Sequence, residues 1–320
     1  MSLTYVQREE AARLLREAEH RAVPIDPLSA LLPGLDLADA YAVQRDNVSR
    51  RPADGATVIG HKVGLTSPAM RGLLGVDEPD FGHLLDDMVH RDGAPVFAAH
   101  HCRPRIEPEI CFHLAERLSG PGVTVEDVLR ATDAVAPALE IVDSRIRDWR
   151  ITLVDTVADN ASSAGLVCGA WIPVRGAPDL AAVTADLIVD GEPAGSGSGR
   201  EVLGHPAAAV AWLANTLAAF GSALEPGHVV LSGAMTQAPF GQGRPEGRGA
   251  VRRPGAGVGD LRVTAVELPP TAEECVQVYE MDPLPEKPKK PKKPRKPKKP
   301  KKPVTAGKSV QAEKPERAAP

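Results

Sequence analysis

Apolar residues recur at helical spacing in the first fifty positions of the chain. The first group consists of Val6, Ala11, Leu14, Leu15 and Ala18, set among charged residues. This spacing predicts an amphipathic helix over residues 4–22, which Pro24 and Pro27 end. The same pattern predicts a second helix over residues 37–50. The N-terminal segment, residues 1–55, is therefore expected to be helical.

The middle of the chain instead carries short apolar runs of strand length. These runs cover residues 58–67, 105–112, 135–142, 166–172, 228–232 and 260–268. Only three helices are expected among them, at 68–74, after Thr124, and at 206–220, and the segment Glu78–Gly82 is predicted to be a loop. Many strands with few intervening helices favour an α+β fold. Residues 56–270 are accordingly predicted to form a β-rich catalytic domain.

The C-terminal segment, residues 283–320, has a different composition. Proline stands at every third position from Pro288 to Pro303, with basic residues between, which favours an extended and solvated backbone. Residues 286–320 hold 14 Lys or Arg and three Glu, so the tail is strongly basic and the remainder is acidic. The tail is predicted to be disordered and to attract nucleic acid only non-specifically. A non-catalytic protein that acts through this tail is the competing interpretation.

Composition excludes some other classes of protein. No stretch of about 18 apolar residues exists, so no membrane association is expected, and the N-terminus lacks a signal pattern. A cytoplasmic location is the expectation. The four cysteines, Cys102, Cys111, Cys168 and Cys275, form no C-x-x-C pair and are expected to be reduced.

Three glutamates lie in two of the predicted strands. Glu107 and Glu109 are two residues apart, so in a strand they point to the same face, and Glu140 lies in the strand run over 135–142. Three carboxylates on neighbouring strands would form an all-oxygen site suited to Mg²⁺ or Mn²⁺. Spacing alone also allows Glu107 and Glu109 to face solvent.

Other polar residues interrupt apolar stretches nearby. Lys62 lies within a predicted strand, where a lysine either reaches the surface or stabilises an anion in a site. Asp80 and His83, in and after the predicted loop, are candidates for acid–base work or for turn capping. The run over residues 155–165 is rich in small polar groups, which either line a pocket or form turns.

Five motifs occur in a fixed order along the chain. They are Gly60-His61-Lys62-Val63-Gly64-Leu65-Thr66-Ser67, Pro79-Asp80-Phe81-Gly82, Glu107-Pro108-Glu109-Ile110, Ala138-Leu139-Glu140-Ile141-Val142-Asp143-Ser144-Arg145-Ile146 and Asp155-Thr156-Val157-Ala158-Asp159-Asn160-Ala161-Ser162-Ser163. Together they resemble the 2-keto-4-pentenoate hydratase group of the fumarylacetoacetate hydrolase superfamily over about residues 5–240. After Thr236 the chain departs from the pattern of that group, so its closing strand is in question.

The resemblance implies a rolled mixed β-sheet with the N-terminal helices packed outside, and a homo-oligomer. It implies Mg²⁺ or Mn²⁺ on Glu107, Glu109 and Glu140. It assigns Lys62 and Asp80 to catalysis. The residues expected to bind the 2-oxo acid substrate are Asn160, Ser162 and Ser232.

The resemblance also implies an activity. Members of the group add water to 2-hydroxypenta-2,4-dienoate and form 4-hydroxy-2-oxopentanoate, in the meta-cleavage catabolism of aromatic compounds or steroids. Close relatives decarboxylate 4-oxalocrotonate on the same scaffold, and this is the alternative. The Pro-Asp-Phe-Gly motif at Asp80 favours the hydratase. A downstream aldolase or a decarboxylase is a conceivable partner protein.

Overall fold

The computed structural model describes residues 2–92, 94–189, 192–236 and 275–277. The chain divides into two units between Pro285 and Glu286, and all described residues belong to the first. The predicted tail over 283–320 and the predicted strand over 260–268 lie outside the described residues. Both therefore stay predictions.

The helices follow the local signals in the sequence. They are α1 (Tyr5–Arg21), α2 (Leu28–Leu31), α3 (Leu37–Arg50), α4 (Pro68–Leu74), α5 (Val125–Ala131), α6 (Leu153–Ala158) and α7 (Pro206–Ala218). Thr4 caps α1 through a reciprocal bond with Gln7, and Asp36 caps α3 by accepting from the amide of Asp39. The predicted N-terminal helices are thus confirmed to within about one residue. Among the described residues, no helix has the length and apolar character needed to cross a bilayer.

The strands build one large sheet and two small ones. They are β1 (Val58–Gly64), β2 (Asp80–Leu85), β3 (Pro95–Phe97), β4 (Arg105–Leu114), β5 (Thr132–Val142), β6 (Ser163–Cys168), β7 (Ile172–Pro173), β8 (Thr184–Val189), β9 (Glu192–Ser198), β10 (Val229–Leu231) and β11 (Cys275–Gln277). The large sheet has the order β2-β1-β10-β4-β5-β6, with β7 paired to β5. Among the described strands of this sheet, β1 and β10 pair in parallel and the other neighbours pair in antiparallel fashion, so the sheet is mixed.

This sheet is rolled. Strands β2 and β6 stand at opposite ends of its order, yet they contact each other, and the amide of His90 donates to the carbonyl of Leu166 at 2.9 Å. Rolling brings the two edges together and gives the sheet an inner and an outer face. The predicted α+β fold with a rolled mixed sheet is confirmed.

The two faces have different roles. Val63, Phe81, Ile110 and Phe112 point outward into a large apolar core shared with the helices. At one end, the inner face holds Leu84, Cys111, Ala138 and Leu231, which form a second apolar cluster. The other end of the inner face is polar. The site described below lies at this polar end.

Two sequence predictions about the segment around Asp80 are wrong. Glu78–Gly82 does not form a loop as a whole, because Asp80 begins strand β2 and pairs with Gly64 of β1. His83, a candidate for acid–base work together with Asp80, lies an odd number of residues from Asp80 and therefore points to the outer face of the sheet. There its Nδ1 contacts the Gln44 amide oxygen at 2.7 Å.

The run of apolar residues over 166–172 was predicted to form one strand. It forms parts of two strands, β6 and β7.

Candidate metal centre and catalytic pocket

Strand register brings the three predicted glutamates together. Glu107 of β4 stands directly opposite Glu140 of β5, and Glu109 follows two residues along β4 on the same face. One carboxylate oxygen from each glutamate lies within 4.8 Å of the other two. The three side chains point to the inside of the rolled sheet. Glu109 is completely buried and Glu107 is half-buried, so the interpretation that both of these glutamates face solvent is wrong.

The cluster carries negative charge that the described residues compensate only in part. Glu109 accepts a hydrogen bond at 2.7 Å from the amide of Gly233, but its Oε1 and the Oε1 of Glu140 have no hydrogen-bond partner among the described residues. Burial raises the pKa of Glu109 well above its usual range, and the charges of Glu140 and Glu107 raise it further. Burial also raises the pKa of Glu140 to about 7, against the opposing effect of Lys62. Hard oxygen donors with this excess charge fit a divalent cation.

Lys62 is the cation beside this cluster. It lies in β1, is buried, and its Nζ stands 3.3 Å from Glu140 Oε2 and donates to the carbonyl of Ala161 at 2.9 Å. Burial opposes its charge, yet the surrounding carboxylates outweigh burial and raise the pKa of Lys62. It is also the only lysine among residues 1–286, where every other basic side chain apart from histidine is arginine.

Asp80 lies on the other side of Lys62. Its carboxyl group is buried at the start of β2 and accepts a hydrogen bond at 2.6 Å from Thr156 Oγ1. Burial raises the pKa of Asp80, while the charge of Lys62 and the Thr156 hydroxyl act in the opposite direction. Gly64 leaves the space that these groups occupy, since a Cβ atom there would overlap Asp80 and lie 2.9 Å from Lys62 Nζ.

The segment after α6 has an unusual backbone. Asn160, Ala161 and Ser162 have φ values of 53°, 50° and 55°, three consecutive left-handed residues that are not glycine. Such conformations cost free energy and persist where the surroundings hold them. Here they turn the carbonyl of Ala161 toward Lys62. The side-chain amide of Asn160 meanwhile accepts from the amide of His83 at 2.7 Å and donates to its carbonyl at 2.9 Å.

A buried ion pair holds this segment in place. The guanidinium of Arg145 pairs with the carboxylate of Asp159 and donates to the carbonyls of Asp159 and Ser163. Asp159 also accepts from the amide of Arg145 at 2.9 Å. Both side chains are almost fully buried, so each depends on the other for compensation. The Asp-Ser-Arg and Asp-Asn-Ala-Ser-Ser motifs therefore contain structural residues as well as site residues.

We expect Arg145→Met to destabilise the folded protein by about 3–5 kcal/mol, because it leaves the Asp159 carboxylate buried without its partner. Arg130→Met is the matched control, since Arg130 pairs with Asp127 at the surface and that change is expected to cost about 0–1 kcal/mol. Urea unfolding of the three proteins measures the difference. Equal midpoints for both variants would contradict the assignment.

A cavity opens beside Lys62. Besides Lys62, its lining comprises Gly64, Leu65, Met70, Asp80, Arg105, Glu107, Val142, Trp149, Ile151, Thr156, Ala161 and Ser162. The lining therefore combines polar and apolar side chains, and it includes Arg105, whose guanidinium stacks 3.9 Å above the ring of Trp149. Such a cavity suits a small molecule with a polar head and an apolar tail.

The structure brings four of the eight predicted site residues, Lys62, Asp80, Glu107 and Ser162, to the lining of this cavity. Of the three residues expected to bind substrate, only Ser162 lines it, with an Oγ that has no hydrogen-bond partner among the described residues. Ser232 is buried next to Gly233, and Asn160 has both ends of its amide bonded to His83. Sequence reasoning missed Thr156, Trp149 and the pair Arg145–Asp159. Thr156, Arg145 and Asp159 lie within the recognised motifs, which was the only available signal for them, whereas Trp149 lies outside those motifs.

Comparison with known proteins agrees with this fold. The family described as Fumarylacetoacetate (FAA) hydrolase C-terminal matches residues 75–267. A solved structure, 4-oxalocrotonate decarboxylase from Pseudomonas putida G7 complexed with magnesium and adipate, superimposes with a TM-score of 0.70 at 35% identity, covering 74% of this chain and 90% of that one. The chain belongs to the fumarylacetoacetate hydrolase family.

The curated relatives define the group more narrowly. The 2-hydroxyhexa-2,4-dienoate hydratase of Comamonas testosteroni is 48% identical over 71% of this chain and 87% of its own length. The 2-keto-4-pentenoate hydratase of Paraburkholderia xenovorans is 47% identical over 73% of this chain and 87% of its own length. Within the family, the chain falls in the 2-keto-4-pentenoate hydratase group.

Proposed function

We propose that this protein is a hydro-lyase that adds water to 2-hydroxypenta-2,4-dienoate and forms 4-hydroxy-2-oxopentanoate. The observation that carries the proposal is the cluster of Glu107, Glu109 and Glu140 beside Lys62 and Asp80, of which Glu107, Lys62 and Asp80 line a cavity that also has apolar side chains. The relatives named as hydratases at 40–48% identity, which carry the names of several related substrates, support the addition of water.

A divalent cation, Mg²⁺ or Mn²⁺, is the cofactor that fits. Glu107, Glu109 and Glu140 would hold it, since they offer hard oxygen donors and carry charge that Lys62 alone does not balance. When bound, such a cation supplies Lewis-acid polarisation of the 2-oxygen of a 2-oxo acid. The related decarboxylase structure contains magnesium, which supports this choice.

The residues of the chain then account for the remaining chemistry. Lys62 stabilises the negative charge that the substrate gains when its enol group loses a proton. The ammonium group of Lys62 is suited to this role because Glu140 and the carbonyl of Ala161 fix its position. Asp80 is the acid–base group that moves protons between substrate carbons and oxygens. Protonation at C5 gives an unsaturated ketone, and water then adds across C3 and C4. Ser162 Oγ donates to the substrate carboxylate.

Decarboxylation of 4-oxalocrotonate is the second candidate. It is favoured by the structural neighbour, which is a decarboxylase on the same scaffold. In that reaction Lys62 would stabilise the negative charge left on the substrate by loss of carbon dioxide. The hydratase is preferred because the relatives with higher identity are hydratases.

A paired assay tests the proposal. Purified protein is incubated with Mg²⁺ and either 2-hydroxypenta-2,4-dienoate or 4-oxalocrotonate, with and without EDTA, and the products are identified. We expect formation of 4-hydroxy-2-oxopentanoate without carbon dioxide, loss of this activity with EDTA, and its return with excess Mg²⁺. Carbon dioxide from 4-oxalocrotonate alone would support the second candidate, and no turnover of either compound would refute both. Size-exclusion chromatography of the same sample tests the expected homo-oligomer.

We expect Gly64→Ala to reduce turnover about 100-fold, because the added methyl group displaces the Asp80 carboxylate and Lys62 from their positions. Gly72→Ala is the matched control, since a Cβ at that position in α4 meets no atom within 4 Å. Steady-state kinetics of the two variants provide the comparison. Wild-type turnover in Gly64→Ala would show that the site tolerates a side chain there.

A further inference from the structure

The two oxygens of the Asp80 carboxyl group have different surroundings. Oδ2 accepts a hydrogen bond from Thr156 Oγ1, and the two atoms are 2.6 Å apart. Oδ1 has no hydrogen-bond partner among the described residues, although the side chain is only 3% exposed. A buried carboxylate oxygen without a partner is uncommon and calls for a physical reason.

Strand pairing explains where Oδ1 points. Asp80 stands opposite Gly64 in the β1–β2 register, and a Cβ atom on Gly64 would meet Asp80 Oδ1 first and Lys62 Nζ second. The missing side chain at position 64 therefore leaves Oδ1 and the lysine ammonium facing the same small space. That space belongs to the cavity beside the three glutamates.

The orientation of the carboxyl group depends on helix α6. Thr156 is buried in this helix, whose N-terminus is fixed by the reciprocal cap of Thr152 and Asp155. Asp155 is fixed in turn by Ser29, which donates to it through both its amide and its hydroxyl group. A threonine in a helix commonly bonds to the carbonyl one turn earlier, but the hydroxyl of Thr156 donates to Asp80 instead.

We propose that Thr156 is a positioning residue for catalysis, which occupies Asp80 Oδ2 and so makes Oδ1 the oxygen that exchanges protons with the substrate. This inference rests on the proposed function of Asp80. Oδ1 accepts one proton from the bound substrate and returns one proton to it, so the enzyme ends each turnover in its starting protonation state. The hydrogen bond to Oδ2 prevents rotation of the carboxyl group and stabilises its ionised form.

Three substitutions at position 156 test this inference. Thr156→Val keeps the shape of the side chain and removes the hydroxyl, Thr156→Ala removes it without risk of overpacking, and Thr156→Ser keeps it. We expect the first two to lower kcat about 10- to 100-fold while KM changes less than about 3-fold, since the substrate head is bound by other groups. Thr156→Ser should restore kcat to within about 3-fold of the wild type.

The pH dependence separates this role from a purely structural one. Loss of a hydrogen bond to the ionised carboxyl group raises the pKa of Asp80, so the limb of the kcat–pH profile that reports it should move upward by about one unit in Thr156→Val and Thr156→Ala. The same limb should keep its wild-type position in Thr156→Ser. Circular dichroism and thermal melting confirm that each variant is folded.

Two results would overturn the inference. The first is that the wild type is active and the valine and alanine variants keep both its kcat and its pH profile, because the hydroxyl would then have no effect on Asp80. The other is a serine variant as impaired as the valine variant, because packing of the γ-methyl group would then be responsible. A wild type inactive on both dienoate and oxalocrotonate would instead refute the proposed function, and this inference with it.

Discussion

Glu140→Gln is expected to lower the affinity for Mg²⁺ by at least about 100-fold and kcat/KM by about 1,000-fold. The substitution keeps the size of the side chain and removes the charge of a proposed metal ligand, which stands opposite Glu107 and 3.3 Å from Lys62. Isothermal titration with Mg²⁺ and steady-state kinetics at several Mg²⁺ concentrations provide the two measurements.

Melting temperatures of the same variant, with and without Mg²⁺, distinguish a folding defect from a loss of metal binding. Without metal, the charges of four carboxyl groups act on Lys62, so removing one negative charge relieves repulsion among them. The melting temperature of metal-free Glu140→Gln should therefore not fall far below that of the metal-free wild type, whereas the stabilisation by added Mg²⁺ should be lost. Glu116→Gln, an exposed glutamate, is the control and should behave as wild type. Full activity with unchanged Mg²⁺ dependence in Glu140→Gln would refute the metal assignment.

Lys62→Met is expected to lower kcat by about 1,000-fold while Mg²⁺ binding is retained. The substitution removes the cationic side chain that, among the described residues, is paired with Glu140, but leaves all three carboxylates in place. The site becomes more negative, so affinity for a divalent cation should stay the same or increase. We therefore expect Glu140→Gln to lose Mg²⁺ affinity and Lys62→Met to keep it, although both variants lose turnover to a similar extent. This combination of results would support a cation held by the glutamates next to a separate lysine.

Two further variants complete the test of Lys62. Lys62→Arg keeps the charge but is not expected to restore turnover, because the larger guanidinium does not fit between Glu140, the carbonyl of Ala161 and Asp80. Arg117→Met removes an exposed cation paired with Glu225 and should leave turnover unchanged. Turnover of Lys62→Met at the wild-type rate would show that the lysine only compensates buried charge.

The sequence by itself determined the features that depend on local pattern. Alternation along a strand places Glu107 and Glu109 on one face, and helical spacing with capping residues sets the ends of α1 and α3 to within about one residue. The order of the motifs was enough to predict the rolled α+β fold and the hydratase group. Each of these inferences rests on neighbours in the chain or on a resemblance spread along it.

Only the tertiary structure decided how distant segments meet. Strand register, which no local pattern specifies, sets Glu140 opposite Glu107 and brings Lys62 to Glu140 from β1. Pairing with β1 turned the predicted loop at Asp80 into the start of a strand, because a partner for its backbone was available there. The ion pair of Arg145 with Asp159 stabilises left-handed residues that local preferences disfavour, and Thr156 reaches Asp80 across 76 positions of the chain. Contacts of this kind depend on three-dimensional packing, so the sequence could indicate the chemistry of the site but not its geometry.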